Sequence, residues 1–146
     1  MMILPISLTI AAAAVLLNVW LTIRVGQVRT REKVSVGDGG NEAVIRRMRA
    51  HSNYIENTAF VLILIALIEL AVGPCVWLWA VGGVYLAARI AHAFGMDGAG
   101  KARMVGTIVT LLTQLGLALA ALFVVYATPT TISSTEIVET EAVEPQ

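Results

Sequence analysis

Arg46, Arg49, Asn53, Glu56 and Phe60 follow one another by three, four, three and four residues, which at about 100° per residue places them within roughly one quadrant of a helix. Guanidiniums, an amide and a carboxylate on one stripe can hold a ligand through charge-assisted hydrogen bonds. No turn residue separates this stripe from the apolar segment 58–70, so the helix predicted here carries ionisable groups toward membrane depth. Such groups are costly in a bilayer unless paired or hydrated, and they mark functional sites. His51 points the other way by the same count. Two further stripes have the same character: Tyr85, Arg89, His92 and Met96, then Arg103, Thr107, Thr110 and Gln114, each stepping by four, three and four. Thr107, Thr110 and Gln114 read as interhelical glue, since such groups hydrogen-bond between membrane helices for about 1 kcal/mol each. Arg49, Glu56, Arg89 and Arg103 exceed that role. Three cations facing one anion call for an anionic ligand.

Positioning these stripes requires membrane-spanning helices. The chain of 146 residues is 58% hydrophobic and 14% charged, with a mean hydropathy of +0.80, which defines a membrane protein. Segments of roughly 20 apolar residues cross a bilayer, and four fit: 3–23, 58–72 extended N-terminally through the polar stripe, 76–94 and 105–126. Asn41-Glu42 reads as the start of the second helix and Gly73-Pro74 as its end. The first segment lacks the basic opening and cleavage site of a signal peptide and is expected to be retained. All ten Lys and Arg residues lie on or toward the side of the first and third connections, which is cytoplasmic by the positive-inside rule. Both termini and the Gly73-Pro74 turn then face outward, with Trp77 and Trp79 at the outer interface.

The expected organisation is one all-α domain over 1–128 and a disordered tail over 129–146, rich in Thr, Ser and Glu. Gly37-Asp38-Gly39-Gly40 reads as an exposed turn rather than a phosphate cradle, because no strand precedes it. Cys75 is the only cysteine, which excludes an intrachain disulfide. A formal net charge of zero conceals the asymmetry between the two ends, and nothing in the pattern points to nucleic acid.

The segment Arg49-Ala50-His51-Ser52-Asn53-Tyr54-Ile55-Glu56-Asn57 resembles the R-A-x-x-N-x-x-E signature of the MAPEG family, the membrane-associated proteins of eicosanoid and glutathione metabolism. Gly26-Gln27-Val28-Arg29-Thr30-Arg31 and Arg89-Ile90-Ala91-His92 resemble the first and third helices of its microsomal prostaglandin E synthase and glutathione transferase branch. The similarity runs over residues 5–127. It implies an integral membrane bundle of four transmembrane helices, assembled as a homotrimer that binds glutathione as co-substrate between subunits on the cytoplasmic side. By position, Arg29, Arg49, Asn53 and Glu56 would come from one subunit, and Arg89, His92 and Arg103 from its neighbour. Arg103 follows Arg89 by fourteen residues, a spacing similar to that of the leukotriene synthase branch, and so takes the role of the catalytic arginine that holds the thiolate. Arg29, Arg49 and Asn53 would hold the tripeptide, and Arg89 would pair with Glu56.

Met96 replaces a tyrosine of the family pocket, Met104 a serine of the prostaglandin branch and Asn57 a tyrosine of the leukotriene branch. These departures argue against either eicosanoid specificity and leave the tripeptide site intact. The implied activity is that of a transferase or peroxidase, with a lipophilic electrophile or lipid hydroperoxide arriving laterally from membrane lipid. A nearby guanidinium favours the reactive thiolate over the thiol. No metal is implied, because two histidines on different helices, without a second acidic partner, do not form a ligand set. The alternatives are a non-catalytic membrane modulator of the same family and a small four-helix exporter. Arginine-lined stripes disfavour an exporter of cations.

Overall fold

The computed structural model describes residues 3–127, which form four helices: α1 (Pro5–Glu32), α2 (Glu42–Val72), α3 (Val76–Met96) and α4 (Gly100–Ala127). All four are long and apolar enough to cross a membrane. The polar tail expected over 129–146 lies outside the described residues.

The start of α1 and both ends of α2 have local causes. Asn41 caps α2, its Oδ1 accepting from the N–H groups of Ala43 (2.9 Å) and Val44 (3.2 Å), and Glu42 follows in the first turn, where an anion complements the helix dipole. Gly73, at φ 81°, ends the helix in a conformation that disfavours a side chain, and Pro74 prevents its continuation. α1 opens on Pro5, whose missing N–H costs nothing at a helix start. Leu4 supplies no side-chain cap. The carboxylate of Glu69, near the far end of α2, takes that place, accepting from Ile6 N–H (2.9 Å), Ser7 N–H (2.7 Å) and the Ser7 hydroxyl (2.5 Å). Where water is scarce, backbone donors must find partners inside the protein, and Glu69 is only 1% exposed.

The helices outrun the apolar segments that announced them. α1 continues to Glu32 and α4 begins at Gly100, because charged residues sustain a helix where it leaves the hydrocarbon. The 31 residues of α2 span roughly 46 Å at 1.5 Å each, against a hydrocarbon core of roughly 30 Å. Its basic first turns therefore extend beyond the apolar layer.

Consecutive helices run antiparallel. α2 and α3 are central, and α1 and α4 do not touch each other. One apolar cluster joins Ile6, Ile10, Val61, Ile65, Ile68, Leu78, Tyr85 and Leu117; a second joins Ala14, Leu17, Leu21, Tyr54 and Ala93. Polar contacts cross the same interfaces: Tyr54 OH donates to Ala14 O at 2.6 Å, and the hydroxyls of Thr58 and Tyr85 lie 2.8 Å apart. α3 and α4 meet at glycines. A Cβ on Gly106 would lie 2.7 Å from Ala88 O and from His92 Cβ, and one on Gly95 would overlap the backbone nitrogen of Arg103.

At the basic end a single carboxylate ties three elements together. Asp97, in the α3–α4 turn, accepts from Arg24 of α1 and, at 3.3 Å, from Arg47 of α2. Arg47 also donates to Arg24 O at 3.1 Å.

Candidate functional site

The site lies on the side of α2 that faces α3 and α4. Arg49, Ser52, Asn53 and Glu56, spaced by helical turns along α2, meet His92 and Met96 of α3 and Arg103 and Thr107 of α4 around a cleft of about 360 Å³. The predicted stripes converge because α2 contacts both α3 and α4, and because Gly106 and Gly95 let the latter two approach at backbone distance.

Among the described residues, the guanidiniums of Arg49 and Arg103 and the carboxylate of Glu56 have no ion-pair partner. All three belong to exposed residues. His92 is 5% exposed, and its Nδ1 has no hydrogen-bond partner. The cleft therefore combines two guanidiniums, each with five N–H donors, with one carboxylate and one imidazole. Such a set can clasp a ligand with two carboxylates and an ammonium, and it can stabilise an additional anion at Arg103. A second hollow of about 280 Å³ shares Arg49, Met96 and Arg103 with the cleft and reaches Arg46, whose Nε donates to Glu42 at 2.8 Å.

Arg89 does not line the cleft. It lies beneath it, 1% exposed, donating to Asn53 Oδ1 at 2.8 Å and to Thr110 Oγ1 at 3.1 Å. Among the described residues of one chain, Arg89 and Glu56 do not pair. Asn53, one turn earlier on α2, reaches Arg89 instead, which leaves Glu56 directed at the cleft. An ion buried in this way needs hydrogen bonds from its surroundings, yet Arg89 Nε has no partner.

Arg29 is also apart from the set. Its NH1 donates to Ser35 O at 3.1 Å and its NH2 approaches Met48 Sδ at 3.4 Å, beside a separate hollow with Lys33 and Val34. The reason is that α1 packs on the opposite side of α2: His51 Nε2 lies 2.9 Å from Asn18 Oδ1, and Tyr54 reaches Ala14. Within one chain, Arg49, Asn53 and Glu56 also line the same cleft as His92 and Arg103.

Of the stripe taken for interhelical glue, Thr110 and Gln114 do bridge helices, Gln114 donating to Asn57 Oδ1 at 3.0 Å. Among the described residues Thr107 bonds its own helix, at Arg103 O (3.0 Å), and lines the cleft. Ser52 was not anticipated; its position three residues after Arg49 was the available signal. Glu69 was missed as well, although a carboxylate within an apolar helix is itself a mark of a role.

Four membrane-length helices around a polar, cation-rich cleft define an integral membrane protein. The MAPEG family profile matches residues 7–123. The chain is also similar to the uncharacterized protein sll1147 of Synechocystis sp. (strain ATCC 27184 / PCC 6803 / Kazusa), at 32% identity over 124 residues, covering 77% of this chain and 82% of that one. The chain belongs to the MAPEG family.

Proposed function

We propose that this protein is a membrane-embedded, glutathione-dependent transferase or peroxidase acting on lipophilic electrophiles or lipid hydroperoxides. The observation that carries the reading is the cleft in which Arg49, Asn53, Glu56, His92 and Arg103 converge while both guanidiniums lack a protein counter-ion among the described residues. Glutathione complements that set. Its two carboxylates match Arg49 and the donor atoms beside it, its ammonium matches Glu56, and its sulfur, once ionised, matches Arg103. The thiol proton leaves to water as the guanidinium stabilises the thiolate. In a transferase the sulfur then attacks the electrophilic carbon and the leaving group departs. In a peroxidase two glutathiones reduce one hydroperoxide to its alcohol and water and become the disulfide.

In this reading Arg89 holds Asn53 in place rather than touching the tripeptide, and any contribution from Arg29 comes from a neighbouring subunit. The assembly is a homotrimer with the cleft on the cytoplasmic side and the termini outward, and the segment 129–146 is a polar tail. Calorimetry on the detergent-solubilised protein should give saturable heat with glutathione at millimolar concentration. Absence of binding by the wild type sinks the reading. Binding without turnover on an aryl halide or a lipid hydroperoxide would identify a non-catalytic modulator instead.

A further inference from the structure

The carboxylate of Asp97 is turned away from the cleft, yet it governs the segment that forms one wall. Its Oδ2 takes Arg24 and its Oδ1 takes Arg47, so one side chain joins α1, α2 and the α3–α4 turn. The Arg24 end is enclosed. Arg24 is 8% exposed, and its guanidinium carbon stands 4.6 Å from the ring centre of Trp20 and 5.2 Å from that of Phe94. A buried guanidinium is destabilising without its partner, so the turn is strongly held where Asp97 meets it.

Two neighbours carry that restraint to the cleft. Met96 lines the wall, and Gly95 lies against the backbone nitrogen and Cα of Arg103. The Arg103 side chain has no hydrogen-bond or ion-pair partner among the described residues. Its location is therefore set by the backbone beneath it. We propose that Asp97, anchored by Arg24 and Arg47, is a positioning residue for Arg103, acting through the α3–α4 turn without touching the ligand. The consequence for catalysis rests on the glutathione reading of the cleft; the mechanical link between Asp97 and Arg103 does not.

Asp97→Asn removes the charge and keeps the shape, and Asp97→Glu is the conservative rescue. In the full-length protein, Asp97→Asn should leave glutathione affinity within about threefold while turnover falls roughly ten- to a hundredfold, the loss expected when a reacting group shifts by about 1 Å. Asp97→Glu should restore most of it. In an Arg103→Ala background, Asp97→Asn should cost no further turnover, because the two act as one unit. Equal fold-losses in both backgrounds would overturn the proposal and leave Asp97 merely structural. Arg47→Gln spares the enclosed Arg24 contact and should give a smaller loss of the same kind, which keeps the test available should Asp97→Asn fold poorly.

Amide hydrogen exchange supplies a readout without ligand. Asp97→Asn should speed exchange over residues 100–106 roughly tenfold while amides around Ile65 are unchanged, since local opening follows local restraint. Unchanged exchange over 100–106 would overturn the proposal whether or not glutathione binds. A wild type that binds no glutathione, with exchange still accelerated in the variant, would overturn the glutathione reading alone.

Discussion

Arg49 and Arg103 share a cleft, and the glutathione reading gives them different work. Arg49 sits on α2 one turn from Asn53, and Arg103 stands across from it near the start of α4. Arg49→Ala should weaken glutathione binding by about tenfold or more, the usual consequence of losing a hydrogen bond to a charged group. Arg103→Ala should retain much of the binding and lose the thiolate absorbance, with turnover down by roughly a hundredfold or more, as when a donor aimed at localised charge is removed. Parallel calorimetry and ultraviolet titration separate the two; an Arg103→Ala protein with full thiolate signal would remove Arg103 from that role and leave His92 as the next candidate. The spacing of Arg49, Asn53 and Glu56 made this face legible in the sequence, since helical periodicity alone aligns them. The partner of Arg89 was not legible. Whether a buried guanidinium meets Glu56 or Asn53 depends on the height at which α3 sits against α2, which no local pattern encodes.

At the scale of elements, the apolar segments located all four helices, and Asn41 and Gly73-Pro74 located both ends of α2. The sides on which helices pack were harder to foresee. α1 is apolar almost all round its membrane portion, so nothing in its pattern told which face of α2 it covers, or that Arg29 stands apart from the cleft within one chain. Contact between α3 and α4 depends on an absent side chain. Gly106→Val should force the new side chain against the Ala88 carbonyl oxygen and against His92, lowering stability by about 1–3 kcal/mol and reducing glutathione affinity as His92 shifts. Thermal unfolding in detergent, with calorimetry alongside, measures both. At the other end, Glu69→Ala should destabilise the protein by roughly 2 kcal/mol, the upper range for a lost N-cap, with no direct effect on the cleft. A variant as stable as the wild type would show that the α1 amides find other partners.

For the whole molecule, α4 buries only Gly106, Thr110 and Leu117 among its own residues, and Glu56 is left at an exposed position. Cyclic closure would cover such surfaces. Native mass spectrometry in mild detergent should therefore find a trimer, and a population of monomers alone would argue against it. Sidedness can be read with the protein's own chemistry, because Cys75 is the only cysteine and lies at the α2–α3 connection. A membrane-impermeant maleimide should label it in right-side-out vesicles; in a Cys75→Ser background, Asp38→Cys should label only in inverted ones. The reverse pattern would place the cleft on the outer side. The bond from Glu69 to the first turn of α1 also bears on how the protein is made. During synthesis α1 leaves the ribosome before Glu69 exists, so its leading amides have no internal partner until α2 has crossed. The helical hairpin, rather than the single helix, is then the smallest unit in which those amides are satisfied within the protein.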